Sequence, residues 1–235
     1  MSKATYDQPD DGAQKPAGQR APRPRDASTL ILLRRDGPHP RVLMGRRHAS
    51  HKFMPDKWVF PGGAVDRDDH RVPAASELRE PVLQSLMMTA SAARSRALGL
   101  AAVRETFEEA GLRLAKPAEP LRTPPLWAEF MDGGLAPDLS ALDLIARAIT
   151  PPYRPRRFDA RFFTAEADRL VSLTPSRISG ELEEIAWVDL TEALALDLPS
   201  VTRFVLQELS LRLSDPTRRP VSVKYSRGSQ KLETL

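Results

Sequence analysis

The segment Arg104-Glu105-Thr106-Phe107-Glu108-Glu109-Ala110-Gly111-Leu112 gathers three carboxylates within five residues. On a helix turning 100° per residue, Glu105, Glu108 and Glu109 fall within about 100° of one another. Leu100, Val103, Phe107 and Ala110 fall on the opposite side. One face is then core and the other is acidic. Like charges crowded in this way cost energy unless something positive sits among them. A hard divalent cation with oxygen ligands, Mg²⁺ or Mn²⁺, would offset that cost. The plainer alternative is a solvated acidic face with Arg104 as its local partner. Upstream, Phe60-Pro61-Gly62-Gly63 offers a backbone that can approach a ligand closely, and a backbone carbonyl there could complete a metal shell. Alone, that sequence is only a turn.

These residues need a scaffold, and the composition bounds it. The chain has 235 residues, 41% hydrophobic and 28% charged, which suits one soluble domain with decorations. No apolar run approaches the ~18 residues of a membrane span, and the N-terminus has no apolar signal-peptide core. With no Cys, disulfides, thiolate zinc sites and thiol catalysis are excluded, and a cytoplasmic location is the default. The net charge of +4 sits in the ends: residues 27–215 sum to −1. Nucleic acid is therefore an unfavoured partner.

Residues 1–26 lack periodicity and read as a disordered leader. Residues 28–34 and 41–47 read as strands of a hairpin across the Asp36-Gly37-Pro38 turn, and 58–60 as a third strand. Residues 66–73 read as an acidic loop. Pro81 can open a helix running to about residue 96. A second helix over 98–110 ends at Gly111, the expected left-handed stop. The periodicity predicts a short helix over 138–148 and strands over 157–164 and 185–188. A small helix at 191–195 and an amphipathic one at 200–213 follow. Residues 214–235 read as a basic tail.

The two chemical pieces together resemble the Nudix box, G-x5-E-x7-R-E-U-x-E-E-x-G-U, with U an aliphatic residue. Arg104 to Leu112 matches its second half, with Thr106 at a usually aliphatic position, and Gly63 matches its opening. Six residues after Gly63, where the family has Glu, this chain has Asp69; Asp66 and Asp68 are alternatives. Between Asp69 and Arg104 lie 34 residues instead of seven. The segments Phe53-Met54-Pro55, Trp58-Val59-Phe60-Pro61-Gly62-Gly63-Ala64-Val65-Asp66, Thr150-Pro151-Pro152 and Arg156-Arg157-Phe158-Asp159-Ala160-Arg161-Phe162-Phe163 are similar to the interrupted-box branch that includes the peroxisomal coenzyme A diphosphatase of animals. The C-terminal Glu233-Thr234-Leu235 is not a peroxisomal Ser-Lys-Leu address.

The resemblance implies an α/β fold, the Nudix α/β/α sandwich, over 27–213, with a mixed sheet and an inserted helix within about 70–97. It implies metal-dependent pyrophosphate hydrolysis of a small-molecule nucleotide substrate, coenzyme A or an acyl-CoA giving 3′,5′-ADP and a 4′-phosphopantetheine product, and a possible homodimer. The alternatives are a Nudix pyrophosphatase for ADP-ribose, NADH or a nucleotide sugar, and a Nudix-like ligand-binding regulator without catalysis. Glu108 and Glu109 would be the principal metal ligands. Glu105 would be a ligand or the base that activates water, the Gly62 carbonyl would be a further metal ligand, and Arg104 would orient the carboxylates. A later acid is expected among Glu181, Glu183 and Glu184. Arg156, Arg157 and Arg161 are candidates for holding a substrate phosphate.

Overall fold

A computed structural model describes residues 14–16, 18–48, 55–119, 122–176, 181–226 and 229–235. The first thirteen residues of the expected leader, and the Phe53-Met54 part of the branch motif, lie outside the described residues.

Two aliphatic-rich segments found the sheet. Strand β1 (Arg25–Arg34) is answered antiparallel by β2 (Arg41–Arg47) beyond the Asp36-Gly37 turn. Alternation along β1 sorts its side chains: Leu30 and Leu32 enter one core cluster, Ile31 and Leu33 the other. The sheet is therefore covered on both faces. Short strands β3 (Trp58–Val59) and β4 (Gly62–Ala64) pair with β2 and β1.

The interruption follows β4. It holds a 3-10 turn at Asp68–His70 and helix α1 (Glu80–Met87), and it ends inside α2 (Ala92–Ala110). The sequence places the break between these helices at about residue 97. The structure places it at 88–91, because Ser91 caps α2 by accepting from the Arg94 N–H at 3.3 Å. Gly111 ends α2 at φ 70°, as its type requires.

A small antiparallel pair, β5 (Ala115–Pro117) and β6 (Leu135–Pro137), flanks a 3-10 turn at Pro125–Trp127. The main sheet continues with β7 (Asp143–Ile149), β8 (Phe158–Glu166) and β9 (Leu182–Asp189). Helices α3 (Leu190–Ala193) and α4 (Ser200–Ser214) pack on the face opposite α2. Strands β10 (Val221–Ser226) and β11 (Ser229–Thr234) close the chain.

Among the described residues the strand order is β11-β10-β7-β8-β1-β2-β3, with β4 on β1 and β9 on β2. The β1–β8 and β10–β7 pairs are parallel and the rest antiparallel, so the sheet is mixed. This is an α/β/α sandwich.

Three expectations need correction. The helix expected over 138–148 is a 3-10 turn followed by β7. Its apolar side chains fill both faces of a strand held between β8 and β10, and that packing outweighs alanine's helix preference. The expected basic tail is a hairpin in the sheet: Val221, Val223 and Leu235 are buried, and Lys224 pairs with Glu233 at 2.8 Å. The leader also yields to structure before residue 27, since β1 begins at Arg25 and Asp26 holds the Arg94 guanidinium of α2.

Candidate active site

The acidic face of α2 is not a solvated stripe. Glu109 is 5% exposed, and its carboxylate accepts the Gly62 N–H at 3.0 Å. A Cβ on Gly63 would lie 2.5 Å from the Glu105 carboxylate, and one on Gly62 would meet Thr29 Oγ1 at 2.5 Å. Two glycines are therefore what lets β4 lie against the helix at this point. Pairing of β4 with Ala27, Ser28 and Thr29 of β1 fixes that loop to the centre of the sheet.

Arg104 ties the arrangement together. It is 4% exposed, yet every arm of its guanidinium is engaged. Nε and Nη2 donate to the two oxygens of Asp69 at 2.9 and 3.0 Å, and Nη2 also donates to the Ala64 carbonyl at 2.9 Å. Nη1 donates to Glu105 at 2.9 Å and to Glu108 at 2.8 Å. Of the three aspartates left open by the sequence, Asp69 is the one that meets the arginine. It is fully buried, and it also accepts the Asp66 N–H at 2.8 Å and the Trp127 indole N–H at 3.2 Å. Asp66 instead accepts the Asp68 N–H, and Asp68 faces the Leu126 N–H. The 34 intervening residues leave the chain as a detour, and an ion pair rejoins its ends.

Burial is the main influence on the carboxylates. It pushes Glu105 up to about 7, with Arg104 pulling the other way and Glu108 adding repulsion. It pushes Glu109 up to about 8, with the Glu105 charge adding to it and the Gly62 hydrogen bond opposing it. Burial alone would lower Arg104, but Asp69, Glu105 and Glu108 together raise it further above its usual range. Without another cation the face holds more negative charge than it neutralises.

The donor set suits a hard cation, since Glu105, Glu108 and Glu109 offer carboxylate oxygen and nothing soft. Among the described residues, however, no group of three or more Asp, Glu or His side chains forms a ready metal cage. That is compatible with Mg²⁺, which usually takes one or two carboxylates and completes its shell with water and substrate phosphates. What the geometry establishes for Gly62 is its N–H, held by Glu109.

The later acids separate. Glu183 pairs with His48 at 3.1 Å and Arg46 at 3.4 Å, and Glu184 pairs with Arg46 at 3.4 Å. Glu181 is the one whose charge acts on Glu109, as does the opposite charge of Arg47.

The arginines expected at a substrate phosphate also separate. Arg161 is 1% exposed, bonded to Asp159 at 2.5 Å and to Thr89 Oγ1 at 3.1 Å. On β8 its side chain shares a face with Asp159, which Arg147 also binds at 2.8 Å, so it is enclosed in an ion network. Arg157 donates to the Thr150 carbonyl at 2.9 Å and the Pro22 carbonyl at 2.8 Å, while Arg156 is exposed. Sequence reasoning missed Trp127 and Arg47. A lone Trp in a Pro-rich stretch was the available signal for the first, since a buried indole N–H needs an acceptor. An arginine pair closing β2 was the signal for the second.

No known family model matches the chain. A Caenorhabditis elegans protein named "Putative nudix hydrolase 7" is 26% identical over 182 residues, covering 72% of this chain and 53% of that protein. The match thus spans about half of that relative's length. The crystal structure of a NUDIX hydrolase from Alicyclobacillus acidocaldarius superposes with a TM-score of 0.62 at 27% identity, covering 82% of this chain and 96% of that one. No described helix is long and apolar enough to cross a membrane. The sandwich, the two halves of the box rejoined through Asp69 and Arg104, and these two relatives support placing the chain in the Nudix hydrolase superfamily.

Proposed function

We propose that this chain hydrolyses the pyrophosphate bond of a nucleoside diphosphate derivative with the help of Mg²⁺ or Mn²⁺. Its substrate is coenzyme A or an acyl-CoA, and the products are 3′,5′-ADP and a 4′-phosphopantetheine. The observation that carries the reading is the Arg104 hub, which holds Asp69, Glu105 and Glu108 while Gly62 holds Glu109. Bound divalent metal would neutralise charge building on the phosphate oxygens of the transition state.

Each residue then has a task. Glu108 and Glu109 supply carboxylate oxygens to the metal. Glu105, pushed up to about 7 by burial, is suited to accept a proton from water near neutral pH. Glu181 is the later-loop acid that completes the negative wall. Arg104 fixes where the carboxylates point and does not touch substrate. Arg156 and Arg157 are assigned to the 3′-phosphate, without Arg161.

The CoA assignment is supported by the interruption between Asp69 and Arg104 and by the similarity of the WVFPGG and RRFDARFF segments. The test is a panel of CoA, an acyl-CoA, ADP-ribose and NADH with Mg²⁺ or Mn²⁺, products separated by chromatography. CoA species should be cleaved fastest, and dephospho-CoA more slowly than CoA. Faster cleavage of ADP-ribose or NADH overturns the substrate while leaving pyrophosphate hydrolysis standing. No cleavage of any of them overturns the activity.

A further inference from the structure

We propose that Trp127 is a positioning residue for the catalytic face: its indole N–H fixes the Asp69 carboxylate that aims Arg104. The inference rests on the hydrolase reading above and adds to it a residue outside both halves of the box.

The argument starts from the interruption. In a continuous box the acid before the helix and the arginine on it are covalently close. Here 34 residues separate them, so their mutual orientation depends on noncovalent contacts. Asp69 has two oxygens and no solvent. One oxygen accepts Arg104 Nη2 and the Asp66 N–H. The other accepts Arg104 Nε and the Trp127 N–H, at 2.9 and 3.2 Å. Among the described residues, Trp127 is thus the one hydrogen-bond partner of Asp69 from beyond α2. A guanidinium is planar, so turning the edge held by Asp69 also turns Nη1, which holds Glu105 and Glu108.

A second contact runs in parallel. Trp127 meets Phe130 edge-on at 5.1 Å, and Phe130 meets Phe107 edge-on at 5.4 Å. Phe107 lies on α2 between Glu105 and Glu108. The same segment approaches the acidic loop again, through the Leu126 N–H and Asp68. A tryptophan that merely filled core would need the ring and not the N–H. Here the N–H has a charged, fully buried acceptor.

Trp127→Phe keeps an aromatic ring against Phe130 and removes the donor. Mn²⁺ affinity, read by electron paramagnetic resonance of free Mn²⁺, should weaken about tenfold, as for other residues that orient metal ligands. The kcat should fall by a similar factor with KM held. In an Asp69→Ala background, which leaves the indole N–H no acceptor at this position, Trp127→Phe should have little further effect. Should the Phe variant not fold, 3-benzothienylalanine placed at position 127 keeps the bicyclic shape and lacks the N–H. Wild-type Mn²⁺ affinity and kcat in a folded variant overturn the proposal, as does an equal loss in the Asp69→Ala background. A wild-type protein that neither binds Mn²⁺ nor turns over overturns the hydrolase reading first, and this one with it.

Discussion

Glu109→Gln separates the two consequences of burying a carboxylate for function. In the metal-free fold Glu109 is pushed up to about 8 from an ordinary value near 4.5, chiefly by burial. At pH 7 the folded side chain is mostly protonated while the unfolded one is ionised. Folding must then take up a proton about 2.5 pH units above the ordinary value. At ~1.4 kcal/mol per pH unit this costs ~3 kcal/mol. The sign follows: a raised folded value gives stability that is full below about pH 4.5 and is lost as pH rises to about 8. Gln avoids the proton uptake and can still accept the Gly62 N–H. In EDTA, Glu109→Gln should therefore melt roughly 5–10 °C above wild type at pH 7, and the gap should close towards pH 4.5. With Mg²⁺ the ranking of function is opposite, and turnover of the variant should fall on the order of a hundredfold or more. Melting by calorimetry across pH 4–9, beside initial rates, reads both. A variant no more stable than wild type at pH 7, or a gap that does not depend on pH, would refute the burial argument.

Gly63→Ala puts a methyl where the Glu105 carboxylate lies, 2.5 Å away. Because a flexible side chain can move, melting should shift by only ~1 kcal/mol while turnover falls more than about tenfold. Asp138 is fully buried and accepts Ser76 Oγ, Ser140 Oγ, Lys116 and Arg169 at 2.5–3.0 Å. Burial would raise its carboxyl, but these partners together hold it well below the usual range. Its stabilisation is present above about pH 4 and lost in more acid solution, and Asp138→Asn should cost ~2 kcal/mol at pH 7, seen in urea titrations. Arg161→Met should destabilise by a similar ~2 kcal/mol with KM unchanged, because Arg161 serves Asp159 inside the sandwich. A raised KM with normal stability would restore Arg161 to the substrate.

What was legible in the sequence is what local chemistry dictates. The clustered Glu105, Glu108 and Glu109, the Gly111 stop and the aliphatic strands about Leu30 and Leu43 depend on short-range pattern, and the structure has them where they were read. Segment 143–149 was misread because the same Ala- and Ile-containing run suits a helix alone and a strand between two others. The closing hairpin was misread because Lys224, Lys231 and Glu233 look solvated, while the buried Val221, Val223 and Leu235 are too few to signal a strand. The surroundings of Arg161 were hidden for a related reason: its charge is visible in sequence, but the Asp159 two residues away becomes a partner only on the strand face they share. Trp127 carried only the signal that a buried indole N–H needs an acceptor; which acceptor was not legible, because Asp69 lies 58 positions earlier.

The central claim is that water attacks a phosphorus atom of a pyrophosphate under metal control at the α2 face. Hydrolysis of CoA in ¹⁸O-enriched water with Mg²⁺, read by mass spectrometry of both products, tests it most directly. The account expects one product phosphate to carry ¹⁸O, no products in EDTA, and full recovery when Mg²⁺ is restored. EDTA-resistant cleavage, or products without ¹⁸O on phosphorus, would contradict it.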